Sequence, residues 1–237
     1  GAVGIVFRAA QDSSIEDVKV WATGASSGIR GIPGRNCGAA NVEVEGGRFG
    51  LDLVDGGLAG TQAFGIRLIG QTELAVRSSD FCPLALVGFQ IVKDRGPAIV
   101  VDNRSSHDSS ASGAFSLIDG SIELRKGGLA IDNTPEAKTL YLRNVYIKGA
   151  DGLVKSGAED AVEGAGGEWS RIREYVYTDQ RLPGEKPAYG DSDNFFRTFS
   201  LIDGTLSREA QPVCVIESAA AAPADLLSRH VWENLPS

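Results

Sequence analysis

One short pattern recurs along this chain at a nearly constant interval, and few folds can absorb that regularity. Each copy is an alternating apolar strand, a glycine-containing turn and a second short strand. SSIEDVKVWATGASSGIRGI carries Ile15, Val18 and Val20, then Gly28-Ile29; NVEVEGGRFGLDL carries Val42 and Val44, then Gly50-Leu51-Asp52-Leu53. GIRLIGQTELAV places Ile66 and Leu68 before Leu74 and Val76. LALVGFQIVKDRGPAIVV, FSLIDGSIELRKGGLAID and LYLRNVYIKGADGLVKSG continue the series. With Ile29, Leu51, Ala75, Ile99, Leu129 and Leu153 taken as equivalent second-strand anchors, the steps are 22, 24, 24, 30 and 24 residues. About two dozen residues is one lap of a solenoid. The period of two within each segment indicates strands, and the LxxLxLxxN pattern of leucine-rich repeats is missing. A single lap cannot bury its own apolar face; stacking does that, and leaves ends that need capping. The expected fold is all-β, a right-handed single-stranded parallel β-helix.

Composition agrees with many tight turns between short strands: 30 Gly stand against 9 Pro in 237 residues. A net charge of −8 argues against nucleic acid, whose binding relies on Lys and Arg neutralising phosphates, and against an anionic membrane surface. Neutral glycans remain compatible. No apolar run reaches the length of about 18 residues that a membrane span needs. The absence of Met leads us to expect a processed chain or a piece of a longer one. Cys37, Cys82 and Cys214 have neither CxxC nor His-Cys spacing, which disfavours zinc. Cys37 and Cys82 precede strands two rungs apart, about 9–10 Å, too far for an undistorted disulfide.

The pattern changes after about residue 157. SGAEDAVEGAGGEW and QRLPGEKPAYGDSDN read as loops around the strand WSRIREYVYTD, which gives a loop-rich insertion at about 157–198. FSLIDGTL then nearly repeats FSLIDGSI and leads into Val213-Cys214-Val215-Ile216, so the β-helix is expected over residues 1–217. Residues 218–237 read as a short helix or exit linker toward a further domain.

The opening GAVGIVFRAAQDSSIEDVKVWA, followed by GIRGIPG and VEGGRFGLDL, resembles the first β-helix of glycoside hydrolase family 55, within the pectate lyase superfamily. WSRIREYVYTD and HVWENLPS are similar to that family's passage into a second β-helix. The resemblance implies a secreted or periplasmic polysaccharide-degrading protein, related to exo-acting, inverting β-1,3-glucanases. It implies a general acid supplied from outside this chain, by a second β-helix domain of the same polypeptide. Gln11 matches the Gln that helps hold the attacking water, whereas Arg35 stands at or near the position where the family has Ser.

The residues themselves offer further candidates. Arg30 and Arg35 flank the GIPG turn, where paired guanidinium forks can grip a carboxylate or sugar hydroxyl; solvated turn charges are the plainer alternative. Asp102 and Asp132 follow Ile99 and Leu129 at the same offset, which in a solenoid stacks them about 5 Å apart. That spacing suits calcium or a shared proton, and Asp-Asn is equally a turn former. No other metal or cofactor is expected. Trp169, Tyr175 and Tyr177 lie where the pattern breaks and are candidate sugar platforms, with a place in the core or against the sheet as the plainer alternative; Trp21 is divided in the same way. His107 and His230 stand alone, with no triad or phosphate loop.

Three functions stay open: a glycoside hydrolase, a polysaccharide lyase acting on uronate polymers with calcium, and a non-catalytic glycan-binding shaft.

Overall fold

A computed structural model describes residues 1–9, 12–32, 37–53, 61–79, 84–102, 114–134, 139–157, 160–164, 168–178, 200–202, 205–207 and 213–227. Among them the chain forms strands and no helix. The first strands are β1 (Val3–Val6), β2 (Ser14–Trp21), β3 (Ser27–Arg30), β4 (Cys37–Glu45) and β5 (Phe49–Asp52). Next come β6 (Thr61–Ile69), β7 (Leu74–Ser79), β8 (Leu84–Lys93), β9 (Ile99–Asp102), β10 (Ala114–Leu124) and β11 (Leu129–Asn133). They are followed by β12 (Thr139–Lys148), β13 (Gly152–Ser156), β14 (Trp169–Thr178), β15 (Ser200–Ile202), β16 (Thr205–Ser207) and β17 (Val213–Ala219).

Odd-numbered strands from β1 to β13 make one parallel sheet, and even-numbered strands from β2 to β12 make a second. The chain therefore crosses from one sheet to the other on every lap. This is a parallel β-solenoid. Its registered inner residues on the short-strand sheet are Ile29, Leu51, Val76, Ile99, Ile131 and Val154, all at most 1% exposed. Three of the anchors expected from sequence thus move by one or two places, from Ala75 to Val76, Leu129 to Ile131 and Leu153 to Val154. At Ala75-Val76 and Leu153-Val154 both neighbours are buried, so apolarity alone does not mark the stacked one.

The long-strand sheet has an irregularity that repeats. Asp17, Asn41, Gly65, Gly88, Asp119 and Asn144 all have φ between 52° and 64°, and they occupy one row. Asp, Asn and Gly enter this left-handed region at the lowest cost, which explains the residue types. Their side chains also bond along the row: Asn41 Nδ2 donates to Asp17 Oδ1 at 2.6 Å and Asn144 Nδ2 to Asp119 Oδ1 at 2.7 Å. Alternation slips by one at this row. In β8, Leu84 and Leu86 point inward before it, then Phe89, Ile91 and Lys93 after it. Both halves of each of these six strands can thereby face one core.

A second row lets the two sheets approach. Gly4, Gly28, Gly50, Ala75, Ala98 and Ala130 are registered neighbours on the short-strand sheet. A Cβ on Gly28 would lie 2.2 Å from Val44 Cγ1, and one on Gly4 2.5 Å from Val20 Cγ1. Only small residues fit. The column they help close is lined by aliphatic side chains, each worth about 1.5–3 kcal/mol when fully buried.

Among the described residues parallel winding does not continue after β13. Strand β14 pairs antiparallel with β12, and β17 antiparallel with β14. Val162 bridges back to Val154 across the outer edge of β13. In the second FSLIDG segment, strands β15 and β16 pair antiparallel with each other as a separate sheet and do not join either sheet of the solenoid, so among the described residues the segment adds no further lap. Strand β17 runs through Ala219, so the segment expected as an exit linker begins inside a sheet, and Leu226 beyond it is 3% exposed.

Candidate functional site

The residues singled out from sequence are dispersed by the fold. Gln11, Arg35 and Cys82 lie outside the described residues. Arg30 ends β3 between Val6 and Asp52 in the register. Asp52 is 3% exposed and fully engaged: Ser27 Oγ donates to its Oδ2 at 3.0 Å, and Arg77 Nε and Nη2 reach its Oδ1 at 2.9 and 2.8 Å. The Arg77 guanidinium lies 4.0 Å from the Phe49 ring centroid. Arg30 thus borders a buried carboxylate locked by its neighbours, an arrangement that fixes the wall.

Two expectations are corrected. Asp102 and Asp132 do not share a row: Asp132 stands beside Val100, and Val101 beside Asn133. The extra residues between β9 and β11 shift the register by two from the offset read in sequence. Tyr175 does not present its ring to solvent; it is 2% exposed and continues the inner row of Leu117 and Leu142. Tyr177 is partly buried against the same core, as their shared strand face requires. Trp169 is half-buried, with Lys148 Nζ 5.6 Å from its ring centroid.

Among the described residues the exposed aromatic is Trp21, 71% accessible at the end of β2. Lys19 Nζ lies 5.0 Å from its ring centroid, a cation–π distance. Its registered neighbour Glu45 accepts an ion pair from Lys19 at 3.5 Å and lines a surface depression of ≈ 360 Å³. Thr23, Arg48, Ile69 and Thr72 also line it, from three turns stacked one upon another. Backbone bonds hold those turns together: Arg48 N to Ala25 O at 3.0 Å and Thr72 N to Gly47 O at 2.9 Å. Arg48 Nε pairs with Glu73 at 2.5 Å, and this pairing raises the guanidinium's proton affinity and lowers that of Glu73.

From Trp21 a row runs along the outer wall through Glu45, Ile69, Val92, Glu123 and Lys148 to Trp169. Beside it a second outward row holds Lys19, Glu43, Arg67, Gln90, Ser121, Tyr146, Arg171 and Glu217. Its charges are matched internally. Lys19 pairs with Glu43 at 2.7 Å and Arg67 with Glu43 at 3.3 Å; Arg171 and Arg173 pair with Glu217 at 3.2 and 2.9 Å. The hydrogen bond from Lys19, with help from Arg67, holds Glu43 below the usual carboxylate range.

No family model, curated protein or solved structure matches this chain. What the chain can do is accordingly read from its surface.

Among the described residues, no three His, Cys, Asp or Glu side chains converge to hold a metal ion. A buried cation does occur at the core's edge. Lys93, 1% exposed, donates to the carbonyls of Glu73 and, at 2.7 Å, Pro97, and burial pushes its ammonium down to about 8. It braces a corner through those two carbonyls. Sequence inspection left Trp21 undecided and did not register the matched charge rows. Their signal is present: Lys19, Glu43 and Arg67 recur at the lap interval, each on the outward phase of its strand.

Proposed function

We propose that this chain is a carbohydrate-active β-helix that engages polysaccharide on the wall carrying Trp21. The observation that supports the reading is an open indole ring adjoining a depression with hydroxyl, carboxylate and guanidinium groups. A sugar offers an apolar ring face edged by hydroxyls, and an aromatic surface beside a few placed polar groups complements both. Within this reading the protein is a glycoside hydrolase of the family 55 kind, secreted or periplasmic. Gln11 then positions water, and the acid comes from a second β-helix of the same polypeptide. Inverting cleavage needs an acid and a base about 6.5–9.5 Å apart with water between them, and the wall around Trp21 serves binding alone.

The test is titration of the full chain with laminarin-type glucan, pectate and alginate, with and without calcium, followed by tryptophan fluorescence and release of reducing ends. Binding of glucan that Trp21→Ala weakens supports the reading. Release of reducing ends marks a hydrolase, binding alone a glycan-holding shaft, and calcium-dependent cleavage of pectate or alginate a lyase. Failure to bind any of these polymers overturns it.

A further inference from the structure

We infer that the ligand lies along the solenoid axis, is long enough to touch both Trp21 and Trp169, and is an uncharged polysaccharide. The inference rests on the glycan reading above and adds its direction, length and charge.

Direction follows from register. Trp21 and Trp169 belong to the same outward row, separated by six strand-to-strand steps. At 4.7–4.9 Å per step they stand about 29 Å apart. Between them the row presents Ile69 and Val92, both half-buried, as an apolar floor. Each ring has a lysine ammonium against it, Lys19 at 5.0 Å and Lys148 at 5.6 Å. The row thus repeats one device, an indole edged by an ammonium, at two ends of a straight strip. A polymer running across the strip would meet one ring; a polymer running along it meets both.

Charge follows from pairing. The two outward rows hold four cations, Lys19, Arg67, Lys148 and Arg171, and four carboxylates, Glu43, Glu45, Glu123 and Glu217. Every one of those cations already has a carboxylate: Lys148 pairs with Glu168, and the other three with Glu43 or Glu217. A polyuronate carries a carboxylate on each sugar and would need a line of free cations. This strip instead balances its own charge, so neutral sugars lose nothing on it, while an anionic chain would find each of its cations already held by a carboxylate.

Two contacts joined by one polymer act as linked sites, so affinity climbs once the ligand spans both. The test measures, by calorimetry on the full chain, the affinity for neutral gluco-oligosaccharides from the disaccharide upward, for laminarin, and for polygalacturonate. Parallel titrations use Trp21→Ala, Trp169→Ala and Trp169→Phe, with urea midpoints to establish that each variant is folded. The expected result is a rise of roughly tenfold or more once the oligosaccharide reaches both rings. Either alanine variant then binds laminarin no better than the short oligosaccharides, Trp169→Phe retains most of the affinity, and polygalacturonate does not compete. Laminarin affinity unchanged in folded Trp169→Ala overturns the axial placement and leaves the glycan reading standing. Salt-sensitive binding of polygalacturonate overturns the neutral assignment. Absence of binding to every glycan removes the underlying reading itself.

Discussion

Asn41 donates its side-chain amide to the carboxylate of Asp17 at 2.6 Å, one lap away, and both residues hold a left-handed backbone, at φ 52° and 54°. Conformation and hydrogen bond therefore coincide in one row, and substitution separates them. Asn41→Ala loses the bond and forces a Cβ residue without a local partner into the left-handed region, which costs about 1–2 kcal/mol. Asn41→Gly loses the bond alone, at the surface, and costs only a few tenths of that range. Urea midpoints of the two variants check the order; equal losses would place the whole effect in the hydrogen bond.

Gly28 faces Val44 at a distance no side chain can occupy, with a Cβ 2.2 Å from Cγ1. Gly28→Ala therefore overpacks the corner and destabilises by about 1–3 kcal/mol. Val44→Ala alone opens a cavity, and the double variant is less damaged than the sum of the two, because each change makes room for the other. Additive losses in chemical denaturation would show that the two positions do not compete for space.

Asp52 accepts from Ser27 and Arg77 while nearly excluded from water. Asp52→Ala leaves those donors without their acceptor and costs about 1.5–3 kcal/mol. Asp52→Asn keeps one oxygen for them and costs less. Thermal unfolding of both variants tests this, and the loss in Asp52→Ala should survive high salt, since burial limits screening.

Lys93 gives stability a defined pH dependence. Burial holds its folded value at about 8 against an ordinary 10.5, so between those limits the unfolded chain binds more protons than the folded one. Stability from this group therefore rises with pH across that window, by about 3 kcal/mol, and the cost of the buried charge is fully present below it. Lys93→Met removes the slope, so the parent gains stability relative to the variant from pH 8 to 10.5. A difference independent of pH would show that the ammonium is hydrated in the folded protein.

The lap was legible because stacked strands repeat their apolar residues at a fixed interval, as Val18, Val42 and Ile66 do. Register was harder. Ala75 and Val76 are both buried at a corner, and inspection of composition cannot say which of two adjacent apolar residues stacks on Leu51. The slip of alternation at Asn41 and its row-mates was hidden for a related reason: each half-strand obeys a period of two, and only the backbone shows that the halves are out of phase. The tyrosines of β14 were candidates for a sugar platform because the repeat breaks around their strand, whereas the strand reversed direction and kept the core row, Tyr175 following Leu142. Trp21 could not be assigned from its neighbours, since outward and inward differ by one residue.

The reversal at β14 also limits how such a column can lengthen. A new lap needs two unoccupied edges at one end, one in each sheet; at the β13 end Val162 already bridges Val154, and the companion sheet has continued with strands of opposite sense. Gene duplication of a two-dozen-residue unit can therefore be accepted between existing laps, where both faces it needs are supplied, but not beyond the reversed pair. Variation in length among descendants of this architecture should accordingly appear as whole laps inserted upstream of Trp169, with the terminal pair kept intact.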